Sequence, residues 1–132
     1  MASPPYVAAD GRGHVEVDWQ AGDRPLVPLD FIIDTGATRS AVDQAASIGL
    51  TVKAYISVSQ ASGGSADIQL LSGGSMSIQV IDSSTKEAHL LTYAGDVLRL
   101  GVNVIGIEVV KALGIRLMFD PGTTPPEILF EV

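Results

Sequence analysis

The chain has 132 residues, 46% of them hydrophobic, enough for one domain around one core and too few for two full lobes. A formal net charge of -7 without any Lys/Arg cluster disfavours binding to nucleic-acid phosphates. The absence of cysteine excludes disulfides and thiolate metal sites, and 17% charged residues beside 14 glycines and 7 prolines suits strands and turns.

Residues 1–13 read as a flexible N-terminal arm, with turn or coil chemistry at Pro4-Pro5 and Asp10-Gly11-Arg12-Gly13. The first five residues have neither a basic nor an apolar stretch, so no signal peptide is expected. No apolar run approaches the roughly 18 residues of a membrane span. A soluble protein is expected, cytoplasmic rather than secreted. His14 to Trp19 alternates polar and apolar residues, the period of a half-buried strand. After a turn at Ala21-Gly22-Asp23, Leu26 to Ile33 forms a second strand, with Pro28 requiring an edge position. The two strands make a hairpin that delivers Asp34 at its end.

Ser40-Ala41-Val42-Asp43 has the spacing of a capping box, which predicts a helix over 41–48 stopped by Gly49. Strands are expected at Val52–Ser59, Ala66–Leu71, Met76–Ile81 and Ala88–Tyr93, separated by Ser62-Gly63-Gly64, Ser72-Gly73-Gly74 and Asp82-Ser83-Ser84-Thr85. A second helix is predicted over 104–113, ended by Gly114, then a strand at Ile115–Phe119, a turn at Asp120-Pro121-Gly122 and a terminal strand over 127–132. The expected fold is mainly β, a closed or partly open barrel with one or two short helices, in a single domain over 14–132. Two distant histidines, His14 and His89, have no ligand spacing, so neither metal nor other cofactor is expected. Both read as strand-face or surface residues, and Trp19 reads as packing.

The chemistry centres on Phe31-Ile32-Ile33-Asp34-Thr35-Gly36-Ala37. An acid directly follows an apolar strand and stands on a turn whose glycine permits close backbone approach. Such a carboxylate is expected to be rigidly held and partly desolvated, the setting in which burial and a neighbouring charge tune a pKa. An ordinary surface turn capped by Asp34 is the plainer alternative.

Around this motif the chain resembles the retropepsin-like aspartic proteases, the single-lobed relatives of pepsin. Arg24 to Val42, through Asp34-Thr35-Gly36, is similar to the family's catalytic strand and loop. Val102-Asn103-Val104-Ile105-Gly106 continuing to Phe119 is similar to its second glycine loop, helix and strand, and Ser62-Gly63-Gly64 to its flap tip. Gly73-Gly74 competes for the flap role, although it reads better as a bend or bulge.

The resemblance implies a two-fold homodimer, because the chain has one such Asp motif and the mechanism needs two carboxylates. It implies catalytic roles for Asp34, Thr35 and Gly36, and substrate contacts at Ala37, Thr38, Gly63, Gly64 and Ile105. The implied activity is hydrolysis of extended peptide segments in a peptide or protein substrate, without metal or covalent intermediate. The alternative is a non-catalytic dimerisation or peptide-binding domain of the same fold. Two departures stand out: retroviral members often place an Asp and an Arg where this chain has Thr38 and Ile107. The C-terminal extension past Phe119 also implies a differently built interface sheet.

Overall fold

The computed structural model describes residues 6–59, 61–120 and 127–131. Residues 1–5 of the expected arm, and Pro121 and Gly122 of the expected turn, lie outside them. In chain order the elements are β1 (Tyr6–Val7), β2 (Gly13–Ala21), β3 (Val27–Ile33), β4 (Ala41–Val42), α1 (Gln44–Ser47) and β5 (Thr51–Ser59). Then follow β6 (Ser65–Ile81), β7 (Ala88–Arg99), β8 (Val104–Ile105), α2 (Ile107–Leu113), β9 (Arg116–Asp120) and β10 (Glu127–Glu131).

Six strands close into a barrel in the order β2-β3-β8-β4-β7-β6, with β6 returning onto β2 through Asp18–Ala21 against Gly74–Ser77. Closure removes the unpaired edges that an open sheet would present. β1 adds to β2, β5 adds to β6, and β9 with β10 forms a separate antiparallel pair. The hairpin expected before Asp34 is present as β2 and β3, paired from His14↔Ile32 to Trp19↔Val27. Pro28 faces Asp18 on β2, while β8 meets β3 only at Ile32 and Ile33, so its missing N–H interrupts no second ladder.

The alternation along β2 sends Val15, Val17 and Trp19 inward, where they meet Phe31, Met76, Ile78, Val80, Val97 and Val109. Burial of each large apolar side chain stabilises the fold by about 1.5–3 kcal/mol. Trp19 is packing, as the sequence indicates: it is 2% exposed, stacks in a tilted pair with Phe31, and donates from Nε1 to the Ala46 carbonyl at 2.9 Å. That hydrogen bond ties α1 to the barrel wall.

Four segments differ from the sequence expectations, one of them β7, which runs on to Arg99 where a strand ending at Tyr93 was expected. The segment expected as a helix over 41–48 divides, because Ala41 and Val42 are buried as β4 between β7 and β8. The helix is only Gln44–Ser47, capped by Asp43 accepting from the Ala46 N–H. Ser40 spends its hydroxyl elsewhere. Likewise Val104 and Ile105 pair with β3 as β8, and α2 begins only after Gly106. Gly114, at φ +68°, ends it as expected. In both places a buried ladder outweighs a weak local preference for helix.

The strands expected at 66–71 and 76–81 are one continuous β6 of 17 residues, with a register shift between Leu71 and Gly74. Gly73 absorbs the shift at φ +96°. Before it β6 pairs with β5 at Ser72↔Thr51, and after it with β2 at Gly74↔Ala21, so the bulge is a barrel corner. A Cβ on Gly74 would lie 2.5 Å from the Trp19 ring.

Candidate active site

Asp34 follows directly on β3, one residue beyond its parallel pairing with β8. Ile32 donates its N–H to the Asn103 carbonyl and Asp34 to the Ile105 carbonyl, each at 2.9 Å. The chain then turns. Asp34 Oδ1 accepts from the Gly36 N–H at 3.0 Å, and the Asp34 carbonyl accepts from Ala37 at 3.1 Å. A Cβ on Gly36 would stand 3.2 Å from that same Oδ1, so glycine lets the turn close on its own carboxylate.

The far limb of the loop is held by the second block of the sequence. Ala37 accepts from the Ile107 N–H at 2.8 Å, and the buried Ser40 hydroxyl accepts from the Gly106 N–H at 2.8 Å. Ser40 donates its own N–H to Glu108 Oε1 at 2.6 Å and accepts from Leu98 N–H through its carbonyl at 2.9 Å. Asp43 and Asn103 exchange two further bonds, at 2.8 and 3.4 Å. At the crossing, Gly106 has no room for a side chain, since a Cβ would be 2.8 Å from both the Ala37 oxygen and the Arg39 carbonyl carbon.

Asp34, Thr35, Gly36 and Thr38 are exposed and Ala37 is half-buried. The partial desolvation expected for Asp34 is therefore not supplied among the described residues, where the carboxylate stays exposed at the end of β3. The side chain of Ile105, a residue expected to contact substrate, is 3% exposed and packs in the core. What Ile105 gives the site is the carbonyl that receives the Asp34 N–H.

Gly63 and Gly64 lie in the turn joining β5 to β6, where Ser59 pairs with Ser65 and Gly63 has φ +94°. β7 joins β6 only from Leu70 onward, so Tyr55–Ser59 and Ser65–Gln69 stand out as a two-stranded ribbon. At its base Ile56 and Ile68 pack on a small apolar cluster of Ala41, Leu70, Leu98 and Val104, linking the ribbon to both segments that flank the Asp34 loop. Gly73-Gly74 sits in the barrel corner and is no hairpin tip. An open cleft of about 610 Å³ lies between the start of α1, Asp67–Gln69 and Arg99–Gly101. Asp34 does not line it, so this cleft and the candidate carboxylate are separate features.

Asn103, Ser40 and Glu108 are the residues of the site that sequence reasoning missed as such. Glu108 is an acid in the first turn of α2, ordinarily explained by the helix dipole alone. Its bond to Ser40 spans 68 residues, and no local pattern reports it.

Outside the loop, His14 is a strand-face residue of β2, buried and not at the surface. Its Nδ1 lies 2.5 Å from Asp30 Oδ2, and its Nε2 lies 3.2 and 3.3 Å from the two Asp10 oxygens. Burial opposes its charge, but the bonds to Asp30 and Asp10 and their charges outweigh it and raise the His14 pKa. The Arg12 N–H first, and then His14, lower that of Asp10. Tyr93 is raised by burial and by the charges of Glu108 and Asp96, against Arg39.

Among the described residues no helix is long and apolar enough to cross a membrane. A scan against protein-family models and a search of curated proteins each find no match to this chain.

Proposed function

We propose that this chain is one half of a retropepsin-like aspartic endopeptidase, whose two Asp34 carboxylates meet on the axis of a two-fold dimer. The observation that carries the reading is the Asp34 loop. An exposed acid stands at the end of a core strand, on a turn tied along both limbs to one distant segment. That is how a fold holds a reactive group rigidly while leaving its face open to a second copy. The ribbon ending in Gly63 and Gly64 supports the same reading, as an element free to close over an extended peptide.

Two carboxylates brought close cannot both ionise and share one proton. One draws a proton from a bound water, which attacks the scissile carbonyl carbon. The other protonates the carbonyl oxygen as the tetrahedral intermediate forms. Thr35 bonds across the two-fold, and Gly36 and Ala37 offer backbone groups to the substrate. Because Oδ1 is already held by Gly36, each carboxylate enters the pair with a fixed orientation. The second reading is a dimerising or peptide-binding domain without catalysis. It is favoured by that same Asp34 turn, which is also an ordinary way to cap a loop.

The test is cleavage of a mixed peptide library between about pH 4 and about pH 7, wild type beside Asp34→Asn, at several protein concentrations. Cleavage that requires Asp34 and rises faster than linearly with protein supports the dimeric protease. Absence of cleavage from a protein shown to be dimeric favours the binding domain.

A further inference from the structure

Glu108 is an acid bonded to the far limb of the loop that the proposed reaction does not use. It reaches back from the first turn of α2, and its Oε1 takes the Ser40 N–H at 2.6 Å. Its Oε2 is buried and has no hydrogen-bond partner among the described residues. A Cβ on Gly106 would lie 2.9 Å from Oε2 and 2.8 Å from the Ala37 oxygen, so the carboxylate is wedged where the loop crosses the start of α2. Enclosing a carboxylate oxygen without a partner costs free energy. An amide holding the same N–H would avoid part of that cost.

We infer that Glu108 is a positioning residue for Asp34, a role that rests on the protease reading for its catalytic consequence. Glu108 grips Ser40, and Ser40 in turn receives the N–H groups of Gly106 and Leu98. The near limb is tied independently, by Asp34 to the Ile105 carbonyl. Both limbs thus hang from residues 105–108, and Glu108 supplies one tie of the far limb, beside Gly106 to the Ser40 hydroxyl and Ile107 to the Ala37 carbonyl. Without it the near tie holds Asp34 in place, but the span to Ser40 relaxes and the direction of the carboxylate spreads. A displacement of about 1 Å at a reacting group lowers a rate by roughly 100-fold with little effect on binding.

The experiment compares Glu108→Ala, Glu108→Gln and Glu108→Asp in the full chain. Gln keeps an acceptor at Oε1 but removes the charge; Asp keeps the charge but falls one methylene short. Three readouts are taken: amide exchange at Ser40 and at the core residues Val15 and Val17, the NMR titration of the Asp34 carboxyl, and kcat and KM on a cleaved peptide.

In the Ala and Asp variants, Ser40 exchange should rise about ten-fold or more with Val15 and Val17 unchanged. The Asp34 carboxyl resonance should shift, and kcat should fall roughly 10- to 100-fold with KM within about two-fold of wild type. Gln should restore all three, which separates positioning from the loss of a nearby charge. Unchanged Ser40 exchange overturns the inference, as does an equal rise at Ser40 and in the core, which marks a general loss of stability. If the Ala variant does not fold, Asp and Gln decide between the same outcomes. If the wild type cleaves nothing, the protease reading falls while exchange and titration still judge the role of Glu108. If cleavage depends on Asp34 but kcat is untouched in Glu108→Asp, the inference falls and the protease reading stands.

Discussion

Gly106 stands at a crossing where two backbone segments leave no space for a methyl group. Its φ of -90° is ordinary, so the objection to a larger residue is contact and not conformation. Gly106→Ala should therefore cost about 1–3 kcal/mol in denaturant melts, through displacement of the Ala37–Arg39 backbone. It should also lower any Asp34-dependent cleavage by more than the lost stability explains. A stable Gly106→Ala variant with full activity would show that the crossing is looser than its distances indicate.

His14 gives a prediction in pH. Its folded pKa is raised above the ordinary 6.5, so its bonds to Asp10 and Asp30 contribute fully below that value. The contribution is then lost as pH rises through the folded pKa. The stability gap between wild type and His14→Gln should be larger at about pH 6 than at about pH 8.5. Equal gaps at both would remove the charged histidine from the account. Asp34 itself was legible from its neighbours, because an apolar strand, an acid and a glycine in succession leave few placements. Ser40 was misread, since its spacing to Asp43 imitates a capping box while its hydroxyl serves Gly106.

Among the elements, β2, β3 and β5 were the readable ones, each within a residue or two of its expected span, and β2 alone of them by alternation. The two-residue strands β4 and β8 were not readable, because their residues pair only through partners far along the chain. Local propensity saw apolar residues ahead of a cap and read helix. The glycines of β6 posed the opposite problem: a pair that normally ends a strand here bends one. Gly74→Ala tests that bend, since the new Cβ would meet the Trp19 ring at 2.5 Å and force it out of its bond to Ala46. The expected cost is about 1–3 kcal/mol by urea melt, with a change in Trp19 fluorescence. A change at the neighbouring corner residue Ser72, which is half-buried and shares only a 3.5 Å hydroxyl bond with Thr51, should cost far less.

For the whole molecule, the proposed reaction makes activity a property of concentration. Thr35 is exposed in the single chain, so Thr35→Ala should leave the melting of isolated chains nearly unchanged while weakening the dimer. Sedimentation across a dilution series reads this directly; the same dimer affinity in both proteins would deny Thr35 its place across the two-fold. The barrel was legible as a class from short strands and turns, but its closure through β6 and β2 was not, because no local signal marks where a long strand changes neighbours. The ties of the Asp34 loop have a consequence for the order of events at the ribosome. Asp43 finds Asn103 across 60 residues, Ser40 finds Gly106 across 66 and Glu108 across 68. The β2–β3 hairpin can form as soon as its residues emerge, but the loop beyond it has nothing to fasten to until the last third of the chain is made. A nascent chain holds the acid early and its fastened loop only late, so synthesis itself withholds that geometry until the barrel can close.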